Sequence, residues 1–558
     1  MTPTLHRASG LALAVLLLAT LSQAQTITVT TGLVDTVDVP QTATLADLPG
    51  PDGVVCLREA FLVSDNMAGI QTIEFRIPPD QWYLRNIYPE FCLIYGRFGI
   101  SGSDTVIVDA STQTAFTGDT NPEGNEIVVS GVSVGIGGPA SELTGFHATD
   151  LSIDGAGSLV YGNTGGMYIR SYFNTGTVIR DNEADTISLY GASENVVVRN
   201  TTTRIRITGG APGQPAAHNV IGGPDVADRN FITGWGNVGE HGAPAGTTVE
   251  LYGTTGTLIQ NNYIGTTPDG MSIGNRSSTI GIGVFSENDD LTVADNLIAI
   301  QARRGGTGQA LGAAVFIEGY DGGTNLHIVN NTIGLDAAGL PLLGAETGIH
   351  CNRHSLEFGR DITIERNVIA GHRVSGILCE NGPDIDPAFG IRITENSVYG
   401  NGEMGIDLTP NTWTFGPTEN DPMDADIGAN GLQNYPVLQK AKVYGGALLH
   451  IVGTLQSERN QSYTVEVFAA RACDATGIGQ GELYVGTAAV ATDAAGNGSF
   501  ELILPAASVP AGWVLTTTAT HDMTGSTSEF STCAPLTTGT LGRRARELMK
   551  NPFPDRRP

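Results

Sequence analysis

The sequence predicts an all-β protein, a parallel β-helix followed by a small β-sandwich. Three observations carry that expectation. Short asparagine-bearing strings recur along the middle of the chain at a period of roughly 30–36 residues, the range of solenoids and arrays. Glycine is abundant, at 74 of 558 residues, as an architecture of many tight turns requires. The stretch after the last repeat alternates apolar and polar residues in several short runs, the pattern of half-buried strands.

The organisation reads in order as an export signal (1–24), an N-terminal cap with the first coils (25–110), the main β-helix (111–438), an Ig-like β-sandwich (439–537) and a basic tail (538–558). His6 and Arg7 precede the apolar run Leu11 to Leu21, and Ser22 and Ala24 suit cleavage before Gln25. The run is too short for a membrane span, and no later segment is long and apolar enough to be one. The mature protein is expected outside the cytoplasm: secreted, at the cell surface or in the periplasm, and monomeric. A formal net charge of −28, with lysine only at Lys440, Lys442 and Lys550, disfavours nucleic acid as a partner. The acidic surface suits divalent cations, neutral sugars or simple solubility.

The repeats are NNYIG (261–265), DNLIA (295–299), NNTIG (330–334), RNVIAG (366–371) and ENSVYG (395–400). They align Asn262, Asn296, Asn331, Asn367 and Asn396. Asparagine tolerates turn conformations, and its amide donates to one neighbour while accepting from the next. In register the column becomes a ladder holding turns, in preference to a ligand-binding row. A second strand precedes each string, VELYG (249–253), GVFSE (283–287), AVFIE (314–318), GIHCN (348–352) and GILCE (376–380), and a sixth, GIDLT (405–409), follows the last. Stacking puts equivalent strands about 4.8 Å apart, and the stack buries a face that one coil cannot.

Six cysteines suit an oxidising compartment and fall into three local pairs: Cys56 with Cys92, Cys351 with Cys379, and Cys473 with Cys533. Cys351 and Cys379 share one strand position in successive coils, within disulfide reach. Two buried thiols are the alternative there.

The ends carry a resemblance. VCLREAFLVSDN (55–66) matches a Cys-Ser-Leu-Arg-Glu-Ala box at Leu57, Arg58, Glu59 and Ala60, with Cys56 in the serine position and Val55 in the cysteine position. TIEFRIP (72–78), GIDLTPN (405–411) and TENDPMDADIGANGLQNYPVL (418–438) are also similar. The chain thus resembles bacterial secreted β-helix repeat proteins with that N-terminal box, within the pectate-lyase-like superfamily. The resemblance implies a right-handed parallel β-helix. It implies no single activity, because the fold hosts lyases, hydrolases, epimerases and adhesins. LREAFLVSD is expected to form a short amphipathic helix over the first coil.

Strand alternation locates candidate chemistry. With Leu251, Ser286, Ile317, Cys351, Cys379 and Leu408 inward, one outward column is Glu250, Phe285, Phe316, His350, Leu378 and Asp407. The other is Tyr252, Glu287, Glu318, Asn352, Glu380 and Thr409. Glu287, Glu318, His350 and Glu380 are the candidate catalytic groups. Carboxylates at Glu318 and Glu380, two coils or roughly 9.6 Å apart, approach the spacing of an inverting glycosidase pair. Tyr252, Phe285, Phe316, Asn352, Arg353 and Asp407 are candidate substrate contacts, the aromatic rings by stacking on sugars. The plain alternative is an acidic, solvated sheet face. Asp421, Asp424, Asp426 and Asn430 could bind Ca2+, or form an ordinary polar loop.

Polygalacturonase-like strings are incomplete: Asp289-Asp290 is present, but Gly371-His372 is followed by Arg373. No lysine base lies in the coils. The expected function is an extracellular carbohydrate-directed protein that binds a polysaccharide or cell-surface glycan, acting as a lyase or glycoside hydrolase if it is an enzyme. The rival is a non-enzymatic cell-surface or adhesion protein whose β-helix is a rigid scaffold.

Overall fold

A computed structural model describes residues 25–539, except 34–36, 96–98, 132, 149, 212, 235–245, 275–277, 302–311, 320–322, 343, 354–360, 382–389 and 411–413. The signal segment 1–24 and the tail beyond 539 lie outside the described residues. The chain winds into a parallel β-helix. One face is a 13-stranded parallel sheet running from Gln25–Val29 to Ile391–Thr394. Its inward column, including Ile27, Ile73, Val108, Val160, Ile259, Ile328 and Ile364, is buried throughout. A second parallel array carries the longer strands Thr201–Thr208, Thr247–Thr255, Ile280–Asp289, Ala313–Gly319 and Thr347–Arg353. It interleaves with short strands such as Tyr263–Ile264 and Thr332–Ile333.

The asparagine column forms the ladder that the repeats predict, and it is longer. Asn163, Asn182, Asn200, Asn230, Asn262, Asn296, Asn331, Asn367 and Asn396 follow one another. Each backbone N–H and each amide N–H donates to the side-chain oxygen of the next asparagine, as from Asn262 to Asn296 at 2.9 and 3.1 Å. The amide also donates to strand carbonyls such as Ile221 and Gln260. The residue before a rung often takes a left-handed backbone: Asp181, Arg199, Asn261, Asp295, Asn330, Arg366 and Glu395 have φ between 53° and 57°. That turn swings the chain off one sheet, and the asparagine satisfies the polar groups it would strand.

Both ends are covered. The helix Leu57–Asp65 buries Leu57, Ala60, Phe61 and Val63 against the first coils. Glu59 accepts from the Cys56 backbone N–H at 3.0 Å. At the other end, two four-stranded sheets share a core of Leu449, Ile451, Tyr463, Val465, Val467, Leu515 and Ala519. This sandwich is joined to the last coil through the helix's own core, to which Phe468, Ile478 and Phe530 belong. Its polar side chains satisfy the final strand edge. Gln480 accepts from the Asn401 backbone N–H, Glu529 from Leu408 and Thr418, and Glu466 from Glu395.

The cysteines divide differently from the expectation. Cys473 and Cys533 are disulfide-bonded, staples within the sandwich. Cys56, Cys92, Cys351 and Cys379 are free and buried. Cys56 caps the N-terminal helix, whereas Cys92 begins the strand Cys92–Tyr95. Cys351 and Cys379 do stand opposite each other, and they remain hydrogen-bonded thiols.

Two outcomes are expected. Asn296→Ala strands the donors of Asn262 and the carbonyls of Ile259 and Ala294. It should cost on the order of 3 kcal/mol, read as a lowered thermal midpoint. Burial pushes the Glu529 carboxyl up to about 8. A folded value above the unfolded one means that the folded state keeps a proton the unfolded chain has released. Stability is therefore full below about pH 4 and declines until about pH 8. Thermal midpoints should fall across that window, and Glu529→Gln should flatten the fall.

Candidate functional site

The candidate site lies on the outward face of strands Thr247–Thr255 to Ile406–Leu408. Register fixes its columns. Ile207, Leu251, Val284, Ile317, Cys351, Cys379 and Leu408 point inward and are buried. Val284, not Ser286, holds the inward place in its coil. Ser286 has φ 58° at an irregularity opposite Tyr252–Thr254, and the sequence-based alignment is off by two residues there. Phe285 therefore follows Tyr252, and Glu287 is not the neighbour of Glu318 on the sheet.

The corrected columns are Arg206, Glu250, Gly283, Phe316, His350, Leu378 and Asp407, beside Tyr252, Phe285, Glu318, Asn352 and Glu380. Gly283 has a reason in packing: a Cβ there would come 2.3 Å from the Phe285 ring, which leans across it. Tyr252 stacks on Phe285 at 5.0 Å, Phe285 meets Phe316 at 6.0 Å, and the Phe316 and His350 rings meet at 5.2 Å. The expectation of a solvated face is wrong for this stretch. Phe285 and Phe316 are each 2% exposed, His350 1% and Glu380 6%.

His350 and Glu380 come together, with Nε2 2.7 Å from Oε2. A ring N–H donated to the carboxylate orients the imidazole and leaves Nδ1 to act as an acceptor or base. Among the described residues, His350 Nδ1 has no hydrogen-bond partner, and neither do the buried Asn352 Oδ1 and the Tyr252 hydroxyl. Burial raises the carboxyl of Glu318 and the phenol of Tyr252. Asp407, fully buried, is pushed up to about 6 by burial and by the charges of Glu403 and Glu380, while Gly416 N–H and Ser375 Oγ donate to it. Glu250 is held between Arg204, at 2.6 Å, and Arg206, at 3.5 Å. Glu318 and Glu380 are two coils apart, separated by Asn352. The Arg353 side chain lies outside the described residues.

Glu287 is exposed and lines a groove of about 480 Å³ with Gly209, Gly210, Gln214, Tyr252 and Asp289. Sequence reasoning passed over this groove because Gly209 and Gly210, which help to line it, carry no side chain to mark it. Arg204 and Arg206 were also missed. Their alternation in TRIRIT (203–208) is the signal that could have placed Arg206 beside Glu250.

Among the described residues, one acidic cluster gathers carboxylates closely enough for a cation: Asp421, Asp424 and Asp426, with ligand atoms within 4.8 Å of one another. Asp424 accepts from Asn434 N–H at 2.9 Å and Ser457 Oγ at 2.5 Å. Burial pushes Asp424 up to about 7 and Asp426 up to about 6. Asn430 does not join this group. Its amide accepts from Ile391 N–H at 2.7 Å and donates to Ile391 and Thr527 carbonyls, a continuation of end capping.

No family model matches the sequence, and no curated protein matches it. Among solved structures, the chain is similar to ORF18 of Geobacillus virus E2 over 79% of this chain and 69% of that one, at 8% identity. The TM-score of 0.19 is too low for that likeness to inform the function.

Proposed function

We propose that the protein is an extracellular carbohydrate-directed β-helix protein that binds a polysaccharide at the face bearing Tyr252, Glu318, His350, Asn352 and Glu380. The observation that carries this reading is a set of polar atoms on that face without partners among the described residues, namely the Tyr252 hydroxyl, His350 Nδ1 and Asn352 Oδ1, beside a line of aromatic rings. Buried polar atoms are ordinarily paired, so unpaired ones clustered outside the core favour a ligand or bound water. Hydroxyl-rich sugars offer both donors and acceptors, and their apolar ring faces suit aromatic neighbours. The N-terminal helix with Leu57, Arg58, Glu59 and Ala60 supports placing the chain with the box-bearing secreted β-helix proteins. The Cys473–Cys533 disulfide is in keeping with export.

If the site is hydrolytic, His350 oriented by Glu380 supplies the base and the half-buried Glu318, with its raised carboxyl, the acid. Screening against a polysaccharide panel should find a ligand. Glu318→Gln and His350→Ala should each weaken its binding by about tenfold, one lost hydrogen bond in a buried setting. Undiminished binding by both variants would sink the site. Release of reducing or unsaturated ends separates an enzyme from a binder. A non-enzymatic adhesion role, with the β-helix as rigid scaffold, is favoured by the burial of His350 and Glu380.

We also propose calcium at Asp421, Asp424 and Asp426, supported by their convergence beside the junction with the sandwich. Calcium should raise the thermal midpoint at neutral pH, with the gain removed by a chelator and absent in Asp424→Asn. Equal midpoints with and without the ion would remove the metal from the account.

A further inference from the structure

The column that holds Tyr252 and Phe285 does not begin there. Register pairs Tyr172 with Tyr190, Tyr190 with Thr208, and Thr208 with Tyr252. The coils before the candidate site therefore put two more aromatic residues on the same line along the helix axis. Tyr172 and Tyr190 have ring centroids 6.4 Å apart. Phe173 meets Tyr190 edge-on at 5.2 Å. Unlike Phe285 and Phe316, these rings face solvent: Phe173 is 64% exposed and Tyr190 38%.

Phe173 is held in an unusual way. Its φ is 47°, a left-handed conformation that a bulky side chain rarely adopts and that persists only where the surroundings impose it. The ring lies over glycines. A Cβ at Gly191 would come 2.6 Å from it, and one at Gly210 3.2 Å. Gly210 also lines the groove that contains Tyr252, Glu287 and Asp289. Phe173 thus reaches the edge of the groove at Gly210, and Tyr252 within the groove stacks on the buried Phe285.

The chemistry of this surface selects an occupant. The strands of Tyr172 and Tyr190 each have parallel neighbours on both sides, so no free edge exists for an added peptide strand. Glu287 and Asp289 in the groove, and a formal net charge of −28, oppose a polyanion. Flat rings spaced along a sheet whose strands repeat at about 4.8 Å suit a linear chain of pyranose rings. We infer that Tyr172, Phe173 and Tyr190 form a track that binds a neutral linear polysaccharide along the helix axis and leads it to the groove at Tyr252. This rests on the glycan reading above.

The test uses the full chain, with the variants Phe173→Ala/Tyr190→Ala and His350→Ala, against soluble xylan, galactomannan, laminarin and hydroxyethylcellulose. Affinity is measured for the polymer that binds and for short and long fragments of it. The double variant should bind the polymer and long fragments about tenfold more weakly, as expected for two lost ring contacts, and the shortest binding fragment unchanged. His350→Ala should weaken all of them. An unchanged melting curve for the double variant shows that it is folded. If the double variant binds polymer as the wild type does, while His350→Ala does not, the track is overturned and the glycan site stands. If the wild type binds none of the four, both readings fall together. If sedimentation shows self-association that the double variant abolishes, the surface is a contact between copies and the track is overturned.

Discussion

Everything in this protein depends on keeping each coil in register with the next. A one-residue slip would turn an inward isoleucine outward and move every outward group to another column. Hydrophobic stacking opposes such a slip but opposes a two-residue one only weakly, because many rungs carry interchangeable Val, Ile and Leu. The asparagine ladder constrains the register strongly. Each rung satisfies a backbone donor and several carbonyls at a left-handed turn, and only the matching residue of the next coil can do so. A displaced rung leaves buried polar groups without partners, which is more costly than an imperfect apolar contact.

Much of this was legible in the sequence, because a ladder leaves the same letters at each turn. The NxIG strings identified five rungs from Asn262 to Asn396. Three of the four earlier rungs escaped because Asn182, Asn200 and Asn163 are followed by Glu-Ala, Thr-Thr and Thr-Gly rather than by the repeat string; Asn230, followed by Phe-Ile, fits the string and was passed over. Their common mark is subtler. At Asn182, Asn200 and Asn230 it is a charged residue just before the asparagine, in most coils a left-handed one. The candidate site was legible in composition more than in position. The strand register read for His350, Asn352 and Glu380 is the one the structure has, since their coils are regular. It misplaced Glu287 because Ser286 takes an irregular turn that no composition rule announces. Burial of the outward face was not legible at all, since polar residues at alternate positions ordinarily mean water.

That burial changes what the polar residues can do. In a dry environment an ion pair or hydrogen bond is stronger, and an unpaired group is more costly. The electrostatic influence also reaches further. Burial raises Asp407 and Glu529, and smaller contributions come from Glu380 to Asp407 and from Asp407 to Glu529, which belongs to the sandwich and accepts from the last coil. The carboxylates of the candidate site are thus coupled to the seal at the end of the helix. The sandwich is not a loosely tethered module, because its removal would expose the final rungs and unpair the groups that Gln480, Glu466 and Glu529 satisfy.

The ladder also uncouples distance in space from distance along the chain. Successive rungs are separated by as few as 18 residues and as many as 36, yet each meets the next through the same pair of hydrogen bonds. Loop growth between rungs leaves the axial pitch untouched. A chain built this way can acquire or exchange whole loops around its outer surface without re-solving its core. Its evolution can therefore explore new surfaces by insertion.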